Sequence, residues 1–449
     1  MEFTSWTLFI DLGLASLLLL AGQVLRARIR VVQKLFLPAN VIGGGLGLAL
    51  GASGLGWLPF STTIGSYPGI LIALIFVTLP FSAASGPRRA LGRNVAELFA
   101  YSTVVILLQW GLGLAVALGI LSVFWSGLHP GFGAILAAGF VGGHGTAAAI
   151  GETFGELGWA AAGPLAMTSA TVGILASIIG GMAWIKWGAQ RGATHFVAPF
   201  DELPQSLRTG LVPSDERRPI GQETVSANTI DPLALHLALV SAAALIGYWV
   251  AQGSSTLLGH YRLPTFCGAF LAAIVLKRML QWLKVFHYTD AKTMVRVGGT
   301  CTDFLVIFGI ASINIAILVE YAYSLGALLA FGIGINWLLF RFWGPRAFGE
   351  LWFEKSLYTW GWTNGVMAMA IALLRTVDPE GESHLLDDFA LAYLGFGPIE
   401  VVLVTLTPIL VSQGHGWPLA GAAMVAAVLV FLLLPYYQRR MSNTRSLQD

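Results

Sequence analysis

Charge is scarce in this chain. Only 11% of its 449 residues are Asp, Glu, Lys or Arg, against 56% hydrophobic, and the mean hydropathy is +0.74. No soluble core hides so much apolar surface, so the solvent is a bilayer. Cysteine is nearly absent too. Cys267 and Cys301 fall in apolar stretches, which leaves no disulfide framework and no metal site built on cysteine. The scattered histidines form no metal constellation. There is no Gly-x-x-x-x-Gly-Lys loop to drive transport with ATP, and neither Gly-x-Ser-x-Gly nor His-Glu-x-x-His occurs, so the usual carriers of enzyme chemistry are missing. The net charge of +2 calls for no nucleic-acid partner, and no cofactor is expected.

What is present is said twice. Leu37-Pro38-Ala39-Asn40-Val41-Ile42-Gly43 returns as Leu263-Pro264-Thr265-Phe266-Cys267-Gly268, and the Leu165-Ala166 pair returns as Leu391-Ala392, both at a shift of 226 positions. A helix needs about 20 apolar residues to cross roughly 30 Å of hydrocarbon. Such spans are predicted at 6–25, 35–58, 68–85, 97–124 and 163–187, then at 232–252, 263–283, 298–320, 324–343 and 388–412. Each half also carries a predicted re-entrant hairpin, near 132–155 and near 356–376. One further span, 417–437, follows the second copy without a counterpart in the first.

Basic residues fix the orientation. Arg26, Arg28, Arg30 and Lys34 follow the first span, Arg88, Arg89 and Arg93 the third, and Lys186 and Arg191 the fifth. With the N-terminus outside and the C-terminus cytoplasmic, all but Arg262 of the 25 Lys and Arg lie on the cytoplasmic side, as the positive-inside rule requires. Five full spans per copy is an odd number, so the second copy enters the membrane in the opposite sense. The expected fold is an all-α polytopic membrane protein of two inverted five-helix repeats, 1–187 and 232–412, each with its hairpin. A polar, proline-bearing cytoplasmic linker joins them over 188–231, and 413–449 adds an extra transmembrane helix and a cytoplasmic tail.

The hairpins are glycine-rich interruptions: Gly142-Gly143-His144-Gly145-Thr146 in the first half and Gly361-Trp362-Thr363-Asn364-Gly365 in the second. Non-helical backbone survives at membrane depth only where protein or a water-filled cavity covers it. Paired breaks in two halves are the sequence signature of a transporter's binding site. Helix N-termini after such breaks favour an anion, and unwound carbonyls hold a cation. The plainer account is that the glycines merely let helices pack closely.

The run Gly142-Gly143-His144-Gly145-Thr146-Ala147-Ala148-Ala149 with Phe154, together with the two Leu-Pro openings, resembles the bacterial sodium/glutamate symporter family. That resemblance implies elevator-like movement of a substrate-carrying domain, sodium as coupling ion, a small anionic substrate such as glutamate, a homodimer, and the bacterial inner membrane. The pattern departs in the second half. Gly361-Trp362-Thr363-Asn364-Gly365 stands where family members carry a Gly-His-Cys-Gly run, Glu400 with Leu403 replaces an Asp-x-x-Asn pair, and Thr78-Leu79-Pro80-Phe81-Ser82 lacks an expected Asn.

Residues of both interruptions are therefore expected to bind substrate, and Glu400 and Thr78 to serve ion coupling. His144, with an ordinary pKa near 6.5, either binds substrate or carries a proton, or it sits neutral against the hairpin backbone. Glu400 and His144 also frame an alternative, a proton-coupled carrier or cation/proton exchanger. A channel or a sensor that does not transport fits less well. Trp362 either lines the pocket or packs. Asp303 is expected near its span's cytoplasmic end, solvated or salt-bridged. Asn40 is expected to rebond the break at Pro38, and Glu97 to sit at a span end.

Overall fold

The computed structural model describes residues 4–82, 92–194, 205–258, 263–349, 351–378 and 382–445. Arg88, Arg89 and Arg262 of the orientation argument lie outside them. The helices are α1 Ser5–Arg28, α2 Ala39–Leu50, α3 Tyr67–Ser82, α4 Arg93–Val116, α5 Ala134–Gly139, α6 Gly143–Glu156, α7 Ala162–Gln190, α8 Pro232–Leu258, α9 Thr265–Trp282, α10 Ala291–Ala311, α11 Ala322–Leu338, α12 Trp352–Asn364, α13 Met367–Val377, α14 Leu385–Ser412 and α15 Gly416–Arg445. Through π-turns, α4 runs on to Phe124 and α11 to Ala347. Among the described residues ten helices are long and apolar enough to cross a membrane, so this is an all-helical, multi-pass membrane protein. Trp6, Trp282 and Tyr323 stand exposed at helix ends, where aromatic side chains favour the membrane interface.

The repeated Leu-Pro opening has a local cause. Pro38 and Pro264 are the N-caps of α2 and α9, with φ/ψ of −63°/146° and −56°/143°. A proline there gives up an N–H that a helix start leaves unbonded in any case. The glycines that follow mark helix crossings. A Cβ on Gly43 would stand 2.7 Å from the Leu18 carbonyl oxygen of α1, and one on Gly268 would collide with the Gly247 carbonyl of α8. Small residues let membrane helices approach this closely.

Packing sorts the helices into two groups. In the first, α1 packs on α2, α8 on α9, α2 on α10 and α9 on α3, while α3 and α10 lie along one another. The second helix of each half thus packs on the third helix of the other. Two apolar clusters fill this group, one around Val77, Val240 and Met294, the other around Leu18, Tyr67 and Phe308. Asp11, fully buried in α1, is satisfied there by the Ser61 N–H and hydroxyl and by the Tyr67 hydroxyl at 2.8 Å. In the second group α7 packs against α5, α6, α12 and α13, and α4 against α5, α14 and α15. A large core around Leu136, Phe140, Phe353 and Phe389 holds it together.

Four expectations need correction. The span expected at 35–58 is the 12-residue helix α2, about 18 Å long. It ends at Gly51 and gives way to turns through Gly56. The span expected at 298–320 is α10, which starts at Ala291 because Asp290 caps it, its carboxylate accepting the Thr293 N–H at 2.8 Å. Asp303 is therefore mid-helix, hydrogen-bonded at 2.8 Å by the Asn40 side chain, rather than solvated near the cytoplasmic end. Glu97 is fully buried and paired with Lys355 of α12 at 3.0 Å, so it is an internal tie rather than a plain span end.

Candidate functional site

The sequence breaks twice among the helices of the second group. Phe140 leaves helical geometry with ψ of −81°, and α6 restarts at Gly143 with φ +64°, a conformation that glycine adopts at least cost. In the second half Gly365 (φ −127°, ψ −119°) and the extended Val366 separate α12 from α13. The arms of the second pair run together closely enough that a Cβ on Gly361 would stand 2.5 Å from the Ala370 Cα. The two breaks meet. A Cβ on Gly143 would stand 2.6 Å from Val366 Cγ1, so the N-termini of α6 and α13 converge.

A hydrogen-bonded amide bridge holds this junction. Gln109 of α4 is fully buried. Its Nε2 donates to the Thr363 carbonyl at 2.7 Å and to Asn336 Oδ1 at 3.2 Å, and its Oε1 accepts the Val141 N–H at 3.3 Å. Asn336 of α11 donates to Asn364 Oδ1 at 2.8 Å. Asn364 in turn donates to the Trp360 carbonyl at 2.9 Å, and the Ser177 hydroxyl of α7 donates to the Gly361 carbonyl at 2.9 Å. Gln109 and Asn336 are 227 positions apart, the repeat spacing within one residue. Sequence reasoning missed both. The available signal was an amide inside an apolar span at matching places in the two halves.

Beside the junction, on the seam between the two helix groups, lies a cavity of about 220 Å³. Ile72, Ile75, Phe76 and Leu79 of α3 form one wall. Val141, Gly142, Gly145 and Thr146 line it at the first break, and Trp362, Val366 and Met367 at the second. Tyr393, Gly397, Glu400, Val401 and Val404 complete it from one face of α14, at the spacing expected of a helix. Glu400 is the one carboxylate among the described lining residues, and it interacts with the Thr146 hydroxyl.

Of the residues the sequence singled out, Gly142, Gly145, Thr146, Trp362 and Glu400 line this cavity. Trp362 does both things expected of it, since it also packs on Phe389 and Phe396. Gly143, Gly361, Thr363, Asn364 and Gly365 shape the junction behind it. His144 turns away, its Nε2 bonding the Thr171 hydroxyl of α7 at 3.2 Å. That hydroxyl gives its own proton to the Met167 carbonyl at 2.9 Å, so the imidazole is the donor. Thr78 also lies outside the cavity lining, its hydroxyl donating to the Ile75 carbonyl at 2.7 Å on the side where α10 passes at Gly298. Tyr393 and Phe76 were missed, because aromatic residues in an apolar span carry no distinguishing pattern.

A family model described as Sodium/glutamate symporter matches residues 6–344. The match ends before α12, so it includes the first break and not the second. A curated relative from Haemophilus influenzae, named Sodium/glutamate symporter, is 28% identical over 345 residues, which is 73% of this chain and 79% of that protein. Helices that cross a membrane, two broken helix pairs meeting at a cavity, and a family match over most of the length agree. The chain belongs to the sodium/glutamate symporter family, as a sodium-coupled membrane transporter.

Proposed function

We propose that the protein imports a small carboxylate-bearing solute, an amino acid or related acid, down a sodium gradient, and that the cavity at the paired breaks is the transport site. The carrying observation is the meeting of two broken helix pairs beside a cavity on the seam between helix groups. The helix N-termini there favour a carboxylate. Glutamate is the first solute to assay, because the Haemophilus influenzae relative is named for it.

The motion is elevator-like. Helices α4–α7 and α11–α14, knit by Gln109 and Asn336, move as one body past the frame of α1–α3 and α8–α10. The short pairs are re-entrant hairpins. Pro130–Gly139 and Met367–Val377 cover about 15 and 17 Å, half of a bilayer core. The reciprocal packing of α2 on α10 and α9 on α3 supports two related repeats. The odd number of spans per repeat and the placement of Lys and Arg support their inversion, with the N-terminus outside and the linker cytoplasmic, and the family likeness supports a dimer in the bacterial inner membrane. Sodium is the coupling ion, as the family and its Haemophilus influenzae relative are named for it; of the two titratable groups that a proton-coupled carrier would use, His144 faces α7 and Glu400 alone lines the cavity.

The test is uptake of labelled amino acids, glutamate included, into liposomes holding the purified protein. Accumulation that needs an inward sodium gradient and collapses in potassium is expected. Uptake indifferent to sodium would overturn the reading.

A further inference from the structure

We propose that the cavity selects an amino acid whose side chain is uncharged and apolar, its ammonium group seated on Glu400 and its side chain among Phe76, Trp362 and Tyr393. This rests on the reading that the cavity is the transport site, and it narrows the substrate class.

Glu400 is the one carboxylate among the described lining residues, and no Lys, Arg or His accompanies it there. An ionised carboxylate at membrane depth is costly until a cation is seated on it, and a substrate ammonium supplies one. A hard cation prefers a full shell of oxygens, whereas the side chains neighbouring Glu400 offer the Thr146 hydroxyl and the Tyr393 phenol amid carbon. An ammonium group has three donors, and one carboxylate with two hydroxyls suits it. The carboxylate of the ligand then falls to the converging N-termini of α6 and α13.

The rest of the lining decides the side chain. Ile72, Ile75, Leu79, Val401 and Val404 offer carbon only, which rewards an aliphatic or aromatic group and leaves a polar one without partners. A second ligand carboxylate would share this space with Glu400. At about 5 Å and an effective dielectric of about 20, the repulsion disfavours it on the order of a hundredfold. The cavity of about 220 Å³ is small for a ligand pocket, where roughly 300–1,000 Å³ is usual, and suits one amino acid.

The experiment is calorimetric titration of the purified full-length protein in sodium buffer with L-leucine, L-phenylalanine, L-glutamine, L-glutamate and N-acetyl-L-leucine, paired with sodium-driven uptake of the same solutes. Leucine or phenylalanine is expected to bind at least about thirtyfold more tightly than glutamate, and N-acetyl-leucine, stripped of its ammonium, not to bind. Glu400→Gln should weaken leucine at least about tenfold and reduce the leucine-to-glutamate ratio to within about threefold. The wild-type ligand series decides the matter even if that variant fails to fold. Glutamate binding as tightly as leucine, N-acetyl-leucine binding like leucine, or no probe binding would each overturn the inference. Selective leucine binding without sodium-driven uptake supports it and overturns the transport reading. Sodium-driven uptake with glutamate preferred does the reverse.

Discussion

Replacing Gln109 by leucine keeps the side chain's bulk and removes its amide. The Val141 N–H loses its acceptor, the Thr363 carbonyl keeps only the longer bond from Asn336 at 3.4 Å, and Asn336 loses a donor to its Oδ1. A buried N–H left unpaired costs about 1–3 kcal/mol. Interhelical side-chain bonds in membrane proteins average about 0.6 kcal/mol. The variant should therefore lose about 2–4 kcal/mol in an unfolding titration with sodium dodecyl sulfate. Because the amide joins both breaks, sodium-driven uptake should fall at least about tenfold in protein that still elutes as a folded species. Asn336→Leu should behave alike, and the double variant should miss additivity by about 0.5–3 kcal/mol, as contacting residues do. A Gln109→Leu protein within about 0.5 kcal/mol of wild type, additive with Asn336→Leu and transporting normally, would refute the reasoning.

Gly143→Val forces a branched side chain into φ +64° and against Val366, so uptake should vanish while a folded protein survives; transport at the wild-type rate would count against the junction. His144→Ala removes a bond to Thr171 outside the cavity, and should cost about 1 kcal/mol with the uptake KM within about threefold, whereas a hundredfold rise would return His144 to the site. Lys355→Met breaks a buried pair with Glu97 but leaves Arg93 bonded to the same carboxylate at 2.8 Å, so it should cost about 1–3 kcal/mol by unfolding, and adding Arg93→Met, which takes the second cation from the buried carboxylate, should raise the loss to about 3–5 kcal/mol. Burial raises the Asp290 pKa, but hydrogen bonds from the Thr293 hydroxyl and N–H and the Gln222 N–H outweigh it and hold it below the usual range. The stability it gives is present above the unfolded pKa of about 3.9 and is lost as pH falls through the lower folded value. Proteolysis near Gln222 should therefore rise on acidification below about pH 4, and Asp290→Asn should abolish that rise.

The apolar spans, both breaks and the Leu-Pro helix starts were legible because each has a local cause: a run length, a glycine cluster, a proline cap. Boundaries failed where a local stop or cap lay outside the apolar run. The glycines past Leu50 end α2 early, and Asp290 starts α10 seven residues before its apolar run. At the site, Thr146, Trp362 and Glu400 stood out as polar or unusual groups beside the breaks. Whether such a group faces the cavity depends on helix rotation, which is set by neighbouring helices. That is why Thr78 and His144 turned elsewhere and Tyr393 went unnoticed. Gln109 lies far from either break in sequence and meets them only in three dimensions.

The last helix changes what the protein can do with its outer surface. Along α4, Gly111 is the floor on which α15 rests, with the Ala420 carbonyl and the side chains of Ala423 and Met424 about 3.1 Å from where a Cβ would stand. Farther along, Trp343, at the end of the α11 span, meets Phe431 of α15 at 5.3 Å between ring centres. That face of α4 is already occupied within one protomer. A second copy of the chain must approach by another flank, and a chain shortened before Gly416 would bare a smooth glycine-bearing groove to lipid or to a new neighbour.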